Sequence, residues 1–397
     1  MPEYPTGWAT VQLHQVVASD KPIVYGIVQA GPEYPGGVPY IKSTNVGGRI
    51  APDTLARTSP KIARKYARSV VKPGDIVFSL RGNIGELSIV PEHLPQANLT
   101  QGTARISVDP SAHNAFVAAA LRAPELQKHI HTVAKGSTFR EISLEQLRRL
   151  EIPLPPLHEQ RKIAAILGSW DEAIAKLSSL RSAKAWRLEG LAAHLIHQAQ
   201  AEVQHLRDHL HEVSVRNGGQ TARRVLSVTN SAGFVLAEDQ FAHRVASADI
   251  SNYKIVRRGQ YAYNPARINV GSIARLDGWD EGALSPMYVV FEVLPSLDSN
   301  YFRHWLTSGE ARQRIANASQ GSVRETVSFG DLGSIPVPLP CMEQQRRVAR
   351  ALSAATKEIA LIELEIAALK RQRRGLMQKL LTGEWRVGGA DARAAAE

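Results

Sequence analysis

Residues 153–163 read PLPPLHEQRKI, and residues 338–348 read PLPCMEQQRRV. Gln160 and Gln345 hold the same place in the two stretches, 185 residues apart. Carrying that offset through the chain tests for a duplication. Thr44-Asn45 lands on Thr229-Asn230, Gly74 on Gly259, Ile76 on Tyr261 and Phe78 on Tyr263. Leu99-Thr100 lands on Leu284-Ser285, Gly136-Ser137 on Gly321-Ser322, Gly190-Leu191 on Gly375-Leu376 and Leu195 on Leu380. A gapless register over so many anchors, with free variation between them, marks two copies of one module.

Each copy opens with roughly 140 residues of short β-like runs broken by Gly, Pro and Asn. The runs are VPYIKST, DIVFSL and ARISV in the first copy, and RRVLSV, QYAYN and MYVVFEV in the second. One helical pattern is inserted, AFVAAALRAPELQKHI at 115–130, echoed by YFRHWLTSGEARQRIA at 301–316. Each globe is therefore expected to be mixed α/β. Ser143 and Gln146 then make a capping-box signature for a short helix, with Ser328 and Asp331 as a weaker echo.

A long helix follows in each copy. Ile163, Leu167, Trp170, Ile174, Leu177, Arg181, Lys184, Leu188, Leu191 and Leu195 fall at alternating steps of four and three. Val348, Leu352, Ala355, Ile359, Ile362, Ile366, Leu369, Arg373, Leu376 and Leu380 repeat those steps. This is a heptad seam, the narrow stripe that two helices bury against each other. At 1.5 Å per residue each seam is about 50 Å long. A lone helix would leave its stripe in water, so the equivalent helix of the other copy is the expected partner.

Proline fixes φ and lacks an N–H, so the PLPP stretch is expected to be a stiff, extended joint between globe and helix. Glu159 and Gln160, with Gln344 and Gln345, then fall in or near the first helical turn, where their side chains suit its exposed N–H groups.

The chain has 397 residues, enough for two or three domains, with 44% hydrophobic and 21% charged residues. Lys and Arg number 48 against 37 Asp and Glu, a formal charge of +11, and the pI is about 9.8. Such an excess favours a polyanionic partner, because each cation placed on a phosphate releases a condensed counterion. A single cysteine, Cys341, excludes an intrachain disulfide and a cysteine-rich zinc site. With no signal-like start and no apolar run of membrane length, the chain is expected to be cytosolic and reduced.

Motifs for catalysis are missing. No glutamate has a lysine two residues later, and neither a GxxxxGK[ST] phosphate loop nor G-x-G-x-x-G occurs. Tyr263-Asn264-Pro265-Ala266 only faintly resembles the Asn-Pro-Pro-aromatic motif of amino-methyltransferases. His205 and His209 are four apart and could share a helix face, the spacing of two-histidine metal sites. Further ligands are lacking, so a solvated polar connector is the expectation for this stretch. The residues argue for binding, not catalysis.

Two divergent globes alternating with similar PLPPLHEQ and PLPCMEQQ segments, each leading into a coiled-coil helix, resemble the specificity subunit of type I restriction–modification systems. The resemblance runs from about Gly7 to Trp385 and is carried by IPLPPLHEQRKIAAIL and its repeat, GDIVFSLRGNIG and GSTFREIS. The second copy departs at Cys341-Met342 and Glu343-Gln344. The resemblance implies an α/β architecture of two mixed α/β target-recognition domains joined by two long helices. Those helices would form an intramolecular antiparallel coiled coil, a pseudo-twofold tandem repeat. It places recognition domains at 1–152 and 201–337, spacer helices with their proline joints at 153–200 and 338–386, and a disordered tail at 387–397.

The implied function is reading a bipartite, asymmetric double-stranded DNA site, with the helices fixing the spacer between half-sites. The chain itself would hold no catalytic residues, no metal and no cofactor. Two modification subunits would bring S-adenosylmethionine for adenine methylation, and restriction subunits would bring ATP and Mg. A membrane partner is not implied. The alternative is a non-catalytic coiled-coil adaptor of another DNA-modification or defence complex.

The candidate DNA contacts are polar and basic residues in loops. In the first globe they are Lys42, Ser43, Asn45, Arg81, Asn83, Lys135, Ser137, Thr138 and Arg140. In the second they are Thr229, Asn230, Arg267, Asn269, Gln320, Ser322 and Arg324. Asn45 and Asn230 also suit turns for local backbone reasons. The run Lys370, Arg371, Arg373 and Arg374 reads as a solvated or partner-facing helix side.

Overall fold

The computed structural model describes residues 4–134, 140–197, 201–219, 222, 224–240, 249–319 and 326–387. The chain forms two compact units, Met1–Leu177 with Glu365–Glu397, and Ser178–Leu364. Two helices of 41 residues, Leu157–His197 and Met342–Thr382, each contribute to both.

In the first unit the central strand Ile76–Ser79 is buried along its whole length. It pairs antiparallel with Thr103–Ile106 on one side and Leu87–Ile89 on the other. Successive side chains of a strand face opposite ways, and this strand buries both faces. Ile76 and Phe78 join the cluster that contains Phe116 and Val117 of the helix Asn114–Leu121. Val77 turns the other way, toward Ile41, Val71 and Leu99 under a three-stranded sheet.

The second unit repeats this plan. Tyr261–Tyr263 pairs antiparallel with Val289–Val293 and Ile273–Arg275. Tyr261 and Tyr263 pack with Phe302 and Trp305 of the helix Ser299–Leu306, while Ala262 faces Leu226 and Val256. Tyr261 stacks on Phe291 at 5.3 Å between ring centroids and meets the edge of Phe302 at 5.3 Å. Its hydroxyl donates to Ser299 O at 2.6 Å, and burial pushes its pKa up to about 12.

The duplication extends to element boundaries and registers. Asn114–Leu121 and Ser299–Leu306, Leu144–Arg148 and Phe329–Gly333, and the two long helices each begin and end 185 residues apart. The parallel pairing of Ile41 with Leu99 recurs as Leu226 with Leu284. Both short-helix caps form as full boxes. Ser143 Oγ accepts from Gln146 N at 3.1 Å, and Ser328 Oγ accepts from Asp331 N at 3.2 Å. The second is as complete as the first, since Asp331 replaces glutamine as the reciprocal acceptor, taking Ser328 N at 2.9 Å.

All ten seam positions on each long helix are buried or half-buried. In the first unit Ile163 and Leu167 share a core with Met377, Leu380 and Leu381. In the second, Leu188, Leu191 and Leu195 pack with Val348 and Leu352. Within each unit the numbers rise along one helix as they fall along the other, so the pairing is antiparallel. The three charged seam residues are anchored by carboxylates. Arg373 Nη2 donates to Asp171 at 2.7 Å, Lys184 Nζ lies 2.7 Å from Glu358, and Arg181 lies 3.6 Å from Glu363.

Four expectations change. The inserted helical pattern is two helices in each unit. Pro124 opens Pro124–Val133 and Gly309 opens Gly309–Ser319, because the residue before proline is driven out of helical geometry and glycine weakens a helix interior. The proline stretch is extended but not a free joint. Glu151–Leu154 pairs antiparallel with Ala9–Gln12, and Pro336–Leu339 with Glu202–His205. Two-stranded ribbons leave one edge open, which tolerates residues without an N–H.

The histidine-rich stretch is no solvated connector and no helix. It forms the strands Glu202–His205 and Leu210–Val213 around a 3₁₀ turn, with Leu206 and Leu210 buried. His209 is buried, its Nδ1 on Ser296 Oγ at 2.8 Å and its Nε2 on Gln204 Oε1 at 2.8 Å, while His205 Nδ1 lies 2.9 Å from Ser334 O. Both histidines serve the fold.

The fourth change concerns the residues after the prolines, which do not cap their own helices. Gln160 is buried. Its Oε1 accepts from His113 N at 2.8 Å, at the entrance to the helix Asn114–Leu121, while its Nε2 donates to Pro155 O at 2.7 Å. Gln345 does the same with Asp298 N at 2.7 Å and Pro340 O at 2.9 Å. A proline carbonyl and an orphan N-cap amide need one acceptor and one donor, and a glutamine amide supplies both. Glu159, also buried, accepts from Trp8 Nε1 at 3.2 Å and pairs with Arg386 at 2.9 Å. Gln344 at the equivalent place is exposed.

Candidate nucleic-acid interface

The first-globe candidates gather where a 3₁₀ turn meets a hairpin turn. Ser43–Asn45 is the 3₁₀ turn, and Asn45 Oδ1 accepts from Lys42 N at 2.9 Å, the local role its position suggested. Lys42 is exposed, with Nζ 5.3 Å from the centre of the Tyr40 ring. The hairpin turn joins Ile76–Ser79 to Leu87–Ile89 and exposes Arg81 and Asn83. Gly82 brings it beside Ser43 Oγ. Arg81 forms an ion pair with Glu141, and Arg140 donates to His131 O. A shallow cleft of about 440 Å³ lies among these parts, lined by Val46, Gly47, Gly82, Asn83, Ile84, Glu86 and His131. Lys135, Ser137 and Thr138 lie outside the described residues.

In the second unit Thr229 and Asn230 form the turn between Val225–Thr229 and Gly233–Leu236. Thr229 Oγ1 donates to Gly233 O at 3.1 Å and accepts from Ala232 N at 3.0 Å, so its hydroxyl is spent on the turn. Asn230 is exposed and lies against Gly271. Arg267 and Asn269 are exposed around the 3₁₀ turn Ile268–Val270, and Ser272 Oγ ties this loop to Val228 O at 2.7 Å. Asn264 spends its Oδ1 on Ala266 N at 3.0 Å, a turn-forming role. Gln320, Ser322 and Arg324 lie outside the described residues, as do 388–397 of the tail.

Each unit thus brings its described candidates to one group of neighbouring loops. Behind the first group stands a frame that the sequence did not reveal. Gln127 Nε2 donates to Gly85 O at 2.9 Å, and Arg122 Nη2 donates to Leu87 O at 3.0 Å. Burial lowers the Arg122 pKa, Asp171 and, less strongly, Glu86 oppose that shift, and Arg373 adds to it. Glu86, at the far end of the turn that gave the candidates Arg81 and Asn83, was not among the sequence candidates. The basic run at 370–374 divides, with Arg373 half-buried on Asp171 and Lys370, Arg371 and Arg374 exposed.

Among the described residues no helix is long and apolar enough to cross a membrane. Residues 5–182 match the family described as the type I restriction modification DNA specificity domain. A relative from Escherichia coli, the type I restriction enzyme EcoBI specificity subunit, is 28% identical over 40% of this chain and 34% of its own length. A second, the MjaX specificity subunit from Methanocaldococcus jannaschii, a putative type I restriction enzyme subunit, is 23% identical over 62% of each chain. The aligned stretches therefore span less than two thirds of either relative. The crystal structure of the S subunit of a type I restriction–modification system from M. genitalium shares the fold. Its TM-score is 0.60 at 17% identity, covering 94% of this chain and 96% of that one. The chain is thus similar to type I restriction–modification specificity subunits, with the family's specificity domain matched over residues 5–182 and the same architecture repeated in its second half.

Proposed function

We propose that this chain is the DNA sequence-recognition subunit of a type I restriction–modification complex. Its recognition domains, at 1–152 and 201–337, each read one half of a bipartite, asymmetric duplex site. The paired helices within 153–200 and 338–386 set the spacing between the halves. The observation that carries this reading is the duplication itself, in which one plan, one set of registers and one glutamine clamp occur twice. Two readers of one design with different loops suit two different half-sites, as paired reading heads do in dimeric repressors. The net charge of +11 suits the phosphate backbone.

Catalysis belongs to the partners in this reading. Two modification subunits methylate adenine with S-adenosylmethionine, and restriction subunits use ATP and Mg to cleave. The test is to map methylated adenines genome-wide in cells with and without this chain. A split motif that disappears with the chain is the expected result. An unchanged methylation pattern, together with equal binding of selected and scrambled duplexes by the reconstituted complex, overturns the proposal.

A further inference from the structure

Glu86 lies within the basic and polar loops of the first unit; its carboxylate feels the charge of Arg122 behind the turn but makes no hydrogen bond or ion pair among the described residues. The other acid at these loops, Glu141, is paired with Arg81. The position of Glu86 is fixed by its backbone, whose N donates to Asn83 O at 3.1 Å and whose O accepts from Ser79 N at 2.8 Å. Behind the turn, Gln127 holds Gly85 O, and a side chain at Gly85 (φ +86°) would run into that glutamine.

In front, Glu86 overlies bare backbone. Gly47 has φ +108°, and a Cβ there would stand 3.0 Å from Glu86 Oε2. Ser88 Oγ pins this glycine pair, accepting from Gly47 N at 3.1 Å and donating to Gly48 O at 2.6 Å. A carboxylate is therefore presented at the cleft by a turn braced from behind, over a surface that only glycine leaves open.

On a face that meets phosphates, as the proposed function has it, such a carboxylate repels the backbone and adds nothing to non-specific affinity. It gains only from a donor, and in the major groove bases offer exocyclic amines as donors, whereas guanine O6 and thymine O4 repel it. We propose that Glu86 is a specificity-determining residue of the first unit, accepting a hydrogen bond from the exocyclic amine of one cytosine or adenine. By the strand registers Ser272 occupies the equivalent place in the second unit, and its hydroxyl is spent on Val228 O at 2.7 Å, so the two units differ in what they can read there. This inference rests on the reading of the first unit as a half-site reader.

The test uses the complex of the full chain with its modification subunits. Wild type, Glu86→Ala and Glu86→Gln are compared by the methylated motif and by binding to duplexes varied one base pair at a time. The expected result is a roughly tenfold or greater loss of discrimination at one position of one half-site. The other half-site, the salt slope and the thermal unfolding of the chain stay unchanged, since Glu86 neutralises no phosphate. Variants that keep the whole motif and simply bind every duplex more tightly overturn the assignment while leaving the half-site reading intact. A wild-type complex that selects no sequence overturns both.

Discussion

Gln160 closes on the backbone amide of His113 at 2.8 Å, joining the start of a long helix to the start of a short one 47 residues earlier. The same glutamine holds the Pro155 carbonyl at 2.7 Å, so one side chain satisfies a donor and an acceptor in a dry site. Gln160→Ala leaves both unpaired and is expected to lower stability by about 3 kcal/mol. Gln160→Glu keeps the bond to His113 but turns an oxygen toward Pro155 O, and is expected to be at least as costly. Urea unfolding of the chain checks both, with Gln345→Ala as the matched substitution in the second unit.

The Arg373–Asp171 pair tests what charge does in a seam. Arg373 is mostly covered while Asp171 is half-exposed, with side-chain exposures of 16% and 54%. Asp171→Ala strands the guanidinium and is expected to cost about 2 kcal/mol. Arg373→Leu removes the charge with its need for a partner and is expected to be neutral or stabilising. If both substitutions prove equally destabilising, the pair contributes net stability, contrary to this expectation.

His304 gives the second unit an acid sensitivity. Burial, reinforced by Arg303 and Arg275, lowers its pKa from 6.5 to about 4, and Asp298 acts in the opposite sense. Its Nε2 lies 2.9 Å from Ser353 Oγ on the second long helix. Below pH 6.5 the unfolded chain binds the proton and the folded chain does not, so stability falls as pH drops toward 4 and levels off below it. The loss is at most about 3 kcal/mol. His304→Gln is expected to flatten this part of the pH–stability curve in thermal melts from pH 4 to 7.

The spacing role proposed for the helices has a geometric signature. Adding one heptad to both helices lengthens each by about 10 Å. The preferred gap between half-sites is then expected to grow by about three base pairs, with both half-sites unchanged. Selection from a duplex library with variable spacers measures this, and an unaltered spacer rules the mechanism out.

Periodicity made the seam legible in advance, because burial of a stripe is a property of spacing and needs no tertiary knowledge. Arg181, Lys184 and Arg373 kept their seam places despite their charge, since a carboxylate on the other helix meets each one. The strands around Val77 and Ala262 were legible on other grounds, as short apolar runs bounded by Gly, Pro and Asn, because both of their faces are buried. What Gln160 and Gln345 do was not legible, because their partners lie 47 residues upstream and only the folded chain brings them near. The strand pairing of Pro153 and Pro338 was hidden likewise, proline being a signal against sheets that an open-edged ribbon overrides. Among the candidate contacts, Thr229 and Asn45 show local turn chemistry, which polarity alone could not separate from base reading.

The ribbon of Ala9–Gln12 with Glu151–Leu154 brings the entry and exit of the first globe side by side, and Glu202–His205 with Pro336–Leu339 does so for the second. The chain therefore enters and leaves each globe through a doorway two strands wide, while the glutamine clamp and a shared core hold the globe to its helices. Two crossovers in the gene, one at each strand of a doorway, would exchange a whole globe, provided the new one keeps the backbone amide and apolar face that the long helix holds. On the proposed function, new half-site readers would then arise by exchange of complete parts, without passing through half-altered, misfolded intermediates.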